Sequence, residues 1–165
     1  MRTLRILAFG KLKTPGLRES LEYYQRLTQT YFPLEIIELK PEVVTDKSPG
    51  ARARVQEREM ATLAKVSDPR AQTYLLDEAG KILPTRDWAK CVEQWKESSA
   101  STLQFCIGSS LGFPKETSAI KDLNIKGRLS LGPQTLSHDL ARVVLTEQIY
   151  RALSLLAGHP YHVDG

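Results

Sequence analysis

The sequence predicts an α/β protein in which helices sandwich a parallel β-sheet, and three observations carry that expectation. Short apolar, β-prone runs recur at residues 3–9, 34–39, 73–76, 102–107 and 128–131. The stretches between them have helical composition, and strands that alternate with helices imply parallel pairing. Glycines gather directly after the fourth and fifth runs, at Gly108, Gly112 and Gly132, where an open parallel sheet offers its carboxyl ends to ligands.

Each element has its own warrant. The first strand, 3–9, runs into Gly10-Lys11-Leu12-Lys13, and the first helix starts after Pro15. Leu17, Leu21, Tyr24 and Leu27 give it one apolar stripe at i, i+4, i+7 spacing. Residues 40–48 are polar, contain Pro41, show no period and read as a surface loop. Ser48-Pro49 supplies a cap and a first-turn proline for a second helix reaching about Val66. A third helix follows Pro84-Thr85 through Trp88, Val92 and Trp95, and a short one is expected after Pro114. The last helix spans 138–157 without a breaker, about 20 residues and roughly 30 Å of rod. Its apolar residues, among them Leu140, Val143, Leu145, Ile149, Tyr150, Leu153 and Leu156, occupy most of the circumference. Such a helix must be covered on more than one side, so the sheet is expected against one side and a second subunit against the other.

Composition bounds the reading. With 165 residues, 41% hydrophobic and 25% charged, the chain is expected to form a single domain, 1–165, able to bury a core. The start has too short an apolar run for a signal peptide or membrane span, so a cytoplasmic protein is expected. Cys91 and Cys106 lack a CxxC spacing and read as structural thiols. His159 and His162 are spaced HxxH, but no acidic or cysteine cluster accompanies them, and no metal site is expected. A net charge of +4 permits a phosphate-rich partner without demanding one. Arg52, Arg54 and Arg58, with Lys11 and Lys13, are candidates for RNA backbone, yet Glu57 and Glu59 interleave the arginines as on an ordinary solvated helix face. Neither GxGxxG nor GxxxxGK[ST] occurs, which disfavours a flavodoxin-like nucleotide-binding module.

The last third of the chain carries a family resemblance. Leu129-Ser-Leu-Gly-Pro-Gln-Thr-Leu-Ser-His138, the helix with Arg142-Val-Val-Leu145, Glu147-Gln148 and Tyr150-Arg-Ala152, and the tail Tyr161-His162 resemble the SPOUT-class RlmH methyltransferases. Gly10-Lys11-Leu12-Lys13, Leu76-Asp77, Gly80-Lys81 and Ile107-Gly108 extend the likeness over essentially the whole chain. The resemblance implies a C-terminal trefoil knot, a homodimer, and S-adenosylmethionine-dependent methylation of N3 of a pseudouridine in 23S rRNA of the large ribosomal subunit. It implies that backbone groups of the 131–136 loop (Leu131, Gly132, Pro133, Gln134, Thr135, Leu136) hold the adenine, with Leu76 and Gly108 packing nearby. It also implies catalytic roles for Glu147, Arg142 and His162, and RNA contacts by Lys11, Lys13, Tyr161 and His162.

Local structural readings stand beside these. Glu147 and Arg151 form an i, i+4 pair that stabilises a helix by a few tenths of a kcal/mol, and Arg142 is as able to bridge subunits as to grip phosphate. His138 reads as a packing or hydrogen-bonding residue. The chain also departs from the family pattern. Ser109 stands where relatives carry glycine, Gly132-Pro133 is extra, Gln134 replaces methionine, Ser137 replaces proline, and Val163 follows the tail histidine instead of a cation. Ser109 adds a Cβ that disfavours positive φ, and Pro133 removes an N–H donor. These departures keep a second reading open, a non-catalytic SPOUT-like protein that binds RNA or the ribosome.

Overall fold

The computed structural model describes residues 1–117 and 122–161. Its elements follow one another as β1 (Thr3–Phe9), α1 (Leu17–Gln29), β2 (Leu34–Leu39), α2 (Pro49–Val66), β3 (Gln72–Ile82), α3 (Thr85–Glu97), β4 (Thr102–Ile107), β5 (Ile125–Ser130) and α4 (His138–Leu156). The strands form one sheet in the order β2-β1-β4-β3-β5, and every pairing is parallel. All six residues of the central strand β4 are buried, as expected of a strand covered on both faces.

Alternation along the strands sorts the core into two layers. Leu4, Ile6 and Phe105 face Trp88, Val92 and Trp95 of α3 and Leu145 and Ile149 of α4. On the other face Leu7, Leu75 and Cys106 meet Met60 and Leu63 of α2 and Phe113. Leu12, Leu21 of α1 and Val143 of α4 close a third, smaller cluster. One face of the sheet thus carries α1, α4 and α3, with α4 contacting both neighbours, and the other carries α2. Its own chain buries most of the apolar circumference of α4, leaving Val144, Leu155 and Leu156 half-buried and Leu140 exposed.

The helix starts follow the sequence signals. Ser48 Oγ accepts from the Ala51 N–H at 3.3 Å, with proline in the first turn of α2. Ser137 Oγ accepts from the Leu140 N–H at 3.3 Å, so the serine that replaces the family proline caps α4. Helix α4 closes through Gly158, whose φ of 67° allows the His159 N–H to reach the Ser154 carbonyl at 2.9 Å.

Two expectations change, and the short helix expected after Pro114 falls largely outside the described residues. The described residues after Pro114, up to Thr117, are not helical, and residues 118–121 lie outside those described. Strand β5 begins at Ile125, earlier than expected, because Lys126, Gly127 and Arg128 hide it; as an edge strand it needs no second apolar face. Strand β3 continues well beyond residue 76. Leu76 and Lys81 both pair with Leu129 of β5, so residues 77–80 form a bulge. Gly80 makes the bulge possible: a Cβ there would lie 2.7 Å from the Leu129 carbonyl carbon and 2.8 Å from that of Arg128.

Candidate methyl-donor cleft

The carboxyl ends of β3, β4 and β5 converge on a cleft of about 480 Å³, within the range of small-molecule sites. Leu76 and the bulge form one wall, the loop after β4 a second, and the loop after β5 with the start of α4 a third. Leu76, Gly108, Leu131, Gly132, Gln134, Thr135 and Leu136 all line it. Pro133 is exposed and stands outside the lining.

Local chemistry shapes each wall. Buried Ser130 donates to the Gly132 carbonyl at 2.7 Å and accepts from the Gly132 N–H at 3.2 Å, fixing the turn at the end of β5. Gly132 has φ 139°, a conformation that side-chain-bearing residues rarely adopt. Gly108 packs against the loop it opens: a Cβ would meet Gly112 backbone at 3.3 Å. Ser109, by contrast, does not have positive φ. The Cβ that replaces the family glycine therefore carries no backbone strain, and its hydroxyl donates to Glu59 at 2.7 Å. Asp77, Glu78 and Ala79 of the bulge also line the cleft, as do His138 and Arg52. The bulge residues escaped the sequence reading because the period of β3 gives no sign that the strand resumes at Lys81. The pair Gly80-Lys81 was the available signal.

The other candidate residues lie elsewhere. Lys11 lines a neighbouring pocket of about 320 Å³ that shares Ser109, Ser110 and His138 with the cleft. Lys13 is exposed nearby, its N–H donating to Asp139 Oδ2 at 3.1 Å. Thr14 adds its N–H at 3.0 Å and its hydroxyl at 2.7 Å to the same oxygen. Burial pushes the Asp139 carboxyl up, but these hydrogen bonds and the charge of Arg142 bring it below its ordinary range. The 10–14 segment is thereby tied to the start of α4.

Arg142, which the resemblance makes a catalytic candidate, faces inward. It is fully buried, and its guanidinium donates to Glu38 at 3.1 Å and to the Gly10 carbonyl at 3.1 Å. Burial lowers its pKa, offset in part by Glu38 and Asp139. This side chain clasps the ends of β1 and β2. Glu147 lies nine residues beyond His138, about 13 Å along the helix at 1.5 Å per residue. Its carboxylate accepts from Arg151 Nε at 2.9 Å, Gln148 at 2.8 Å and the Tyr161 hydroxyl at 3.1 Å. Tyr161 in turn packs its ring 4.7 Å from that of Tyr150, with the Arg151 guanidinium 4.7 Å from its centroid. Burial, followed by the Glu147 charge, pushes the Tyr161 phenol up. His162 falls outside the described residues.

Burial likewise pushes the Cys106 thiol up, as it does that of Cys91, so both stay protonated at neutral pH. Among the described residues no group of three or more His, Cys, Asp or Glu is placed to hold a metal ion, and no helix is long and apolar enough to cross a membrane.

The cleft residues fit a methyl donor carrying an adenosine and a sulfonium. Apolar Leu76, Leu131 and Leu136 offer faces for a flat base and glycines leave backbone accessible, while Asp77 in the bulge is paired with Arg128. Comparison with known proteins agrees. Residues 1–162 match the family described as predicted SPOUT methyltransferase. The chain is 38% identical over 162 residues to the ribosomal RNA large subunit methyltransferase H of Solidesulfovibrio magneticus, covering 98% of this chain and 99% of the relative. It is 35% identical to the proteins of that name from Maricaulis maris and Oenococcus oeni, in each case over 98% of this chain and 99% of the other. A solved structure of a probable methylase family protein from Haemophilus influenzae Rd KW20 superposes with a TM-score of 0.52 at 10% identity, covering 98% of this chain and 70% of that one, and supports the fold. With a family match across nearly its full length and a cleft at the ends of β3, β4 and β5 to go with it, this chain belongs to the SPOUT methyltransferases.

Proposed function

We propose that this protein is a cytoplasmic, homodimeric methyltransferase, folded as one domain over residues 1–165, that uses S-adenosylmethionine to methylate N3 of a pseudouridine in 23S rRNA. The observation that carries the reading is the cleft itself, formed where the loops after β4 and β5 meet the β3 bulge. These loops form the knot that the family resemblance implies.

S-adenosylmethionine supplies an activated methyl group on a sulfonium. Backbone groups of the 131–136 loop and Gly108 hold its adenosine part, with Leu76 against the base. Orientation is the larger share of the catalysis, because an in-line displacement needs donor carbon and acceptor nitrogen held in one geometry. The imide nitrogen also has to lose its proton, and Glu147 and His162 are the groups assigned to receive it or to stabilise the charge left behind. Arg142, buried against Glu38 and Gly10, acts as a positioning residue. Lys11 and Lys13, on the rim beside the cleft, meet RNA phosphate.

Dimerisation gives this reading its geometry. Within one chain Glu147 lies six residues, about 9 Å along α4, beyond Ala141, the last residue of that helix to line the cleft. A second copy brings the Glu147, Tyr161 and His162 of one subunit to the donor site of the other. The test is direct: unmodified ribosomes incubated with the protein and methyl-labelled S-adenosylmethionine should acquire label at a single pseudouridine of 23S rRNA. Donor binding without any transfer to ribosomes or rRNA would leave the non-catalytic reading in its place.

A further inference from the structure

Glu59 is the only acidic side chain buried among the described residues, at 4% exposure. A buried carboxylate is costly unless each oxygen is hydrogen-bonded, and here the two oxygens are held by different walls. Oε2 accepts from the Ser109 hydroxyl at 2.7 Å, and Oε1 from the Glu42 N–H at 3.1 Å. Ser109 is itself buried, and its Oγ accepts from the Leu111 N–H at 3.4 Å. The Leu111 carbonyl then accepts from Arg52 at 3.1 Å and from Gln56 at 2.9 Å. Positions 52, 56 and 59 share one face of α2, so three side chains of that helix grip one short loop. Ser109 lies in the wall between the donor cleft and the neighbouring pocket, and Glu42 lies in the far wall of that pocket.

We propose that α2 is a strut for the donor site, in which Glu59 and Ser109 are positioning residues that set the 108–112 loop against the methyl donor. Neither residue touches the reacting atoms. Their role is to hold the Gly108 backbone and the shared wall at a fixed distance from the 131–136 loop opposite. The inference rests on reading the cleft as the S-adenosylmethionine site. It also assigns a use to the acidic residue among the α2 arginines, and to the hydroxyl that Ser109 adds.

Titration calorimetry of the full chain with S-adenosylmethionine tests it, using wild type, Ser109→Ala, Glu59→Gln and the double variant, alongside donor KM and ribosome KM. Losing a hydrogen bond to a buried charged group should raise the donor Kd of Ser109→Ala about tenfold. Glu59→Gln keeps an acceptor for the Glu42 N–H and should fall between wild type and Ser109→Ala. The double variant should be no weaker than the worse single one, since both act through one bond. Donor KM should rise in step with Kd, while ribosome KM stays unchanged; a general loosening of the fold would move both. Wild-type affinity in Ser109→Ala, or fully additive losses in the double variant, overturns the strut alone. Failure of the wild type to bind the donor overturns the cofactor reading and the strut with it.

Discussion

Replacing Gly80 with alanine is a test of the β3 bulge that needs one methyl group. The added Cβ would stand 2.7 Å from the Leu129 carbonyl carbon and 2.8 Å from both the Arg128 carbonyl carbon and the Leu129 nitrogen. All three are backbone atoms, so no rotamer change relieves the clash. Restoring ordinary contact requires β5 to retreat by roughly 0.6 Å, an overpacking expected to cost about 2–3 kcal/mol. A chain of this size loses roughly 2–4 °C of melting temperature per kcal/mol, so the variant should melt roughly 4–12 °C below wild type. Strand β5 leads directly into the 131–136 loop, so S-adenosylmethionine affinity should fall as well. Gly127→Ala is the internal control on the same strand pair: its Cβ would meet nothing within 4 Å, and it should be neutral or slightly stabilising. Thermal melts and urea unfolding read both variants. If Gly80→Ala melts like wild type, or if both alanines destabilise alike, the close approach of bulge and β5 is not what requires glycine.

Gly108→Val places its Cβ 3.3 Å from Gly112 backbone and 3.4 Å from the Phe113 ring, with two further methyls to accommodate. Calorimetry should show S-adenosylmethionine binding lost while circular dichroism keeps the helical signal; normal binding would move the donor to another loop. Arg142→Met fills the buried stem but removes the donor to the Gly10 carbonyl and one of the donors to Glu38, which keeps Arg18 and the Leu12 N–H, and should cost about 1–3 kcal/mol in urea unfolding; an unchanged midpoint would mean the clasp is energetically idle. Asp139 has a folded pKa held below its ordinary 3.8. Its carboxylate therefore contributes stability that is fully present above that value and is lost as the pH falls through the lowered one. The stability gap between wild type and Asp139→Asn should accordingly be open at about pH 6 and shrink towards about pH 2. A gap that stays constant over this range would remove Asp139 as the tie between the 10–14 segment and α4.

Most of the fold was legible because its signals are local. Ser48-Pro49 marks the start of α2 through a cap that appears as expected, whereas the cap of α4 by Ser137 emerged only in the structure. Strands β1 and β4 were readable because they are buried apolar runs, and edge strand β2 because Leu34, Ile36, Ile37 and Leu39 still dominate a partly exposed one. Edge strand β5 was shortened by the sequence reading because polar residues suffice where one side is open, and the bulge of β3 was invisible because it depends on backbone approach across to β5. At the site, glycines at strand ends pointed to the loops that line the cleft. The partners of Arg142 were not legible: one sequence position cannot show that a guanidinium on an apolar helix turns inward to the Glu38 carboxylate of β2 and the Gly10 carbonyl after β1. The same holds for Glu59, whose place among alternating charges resembles a solvated face and whose partners come from segments before and after α2.

The strand order has a consequence for how this protein comes to be folded. Strand β1 meets β2 after one helix, but its other neighbour, β4, arrives roughly a hundred residues later, a separation that slows folding through loop closure. Helix α4, which covers the middle of one sheet face, follows every strand in the chain. During synthesis Leu4, Ile6 and Phe105 therefore wait for Leu145 and Ile149 before their side of the core is sealed. A chain cut before His138 keeps all five strands but opens that face between α1 and α3, and aggregation is its expected fate. The segment that completes the donor cleft is thus also the one that ends the nascent chain's period of exposure, so a molecule able to bind donor has already passed its most aggregation-prone stage.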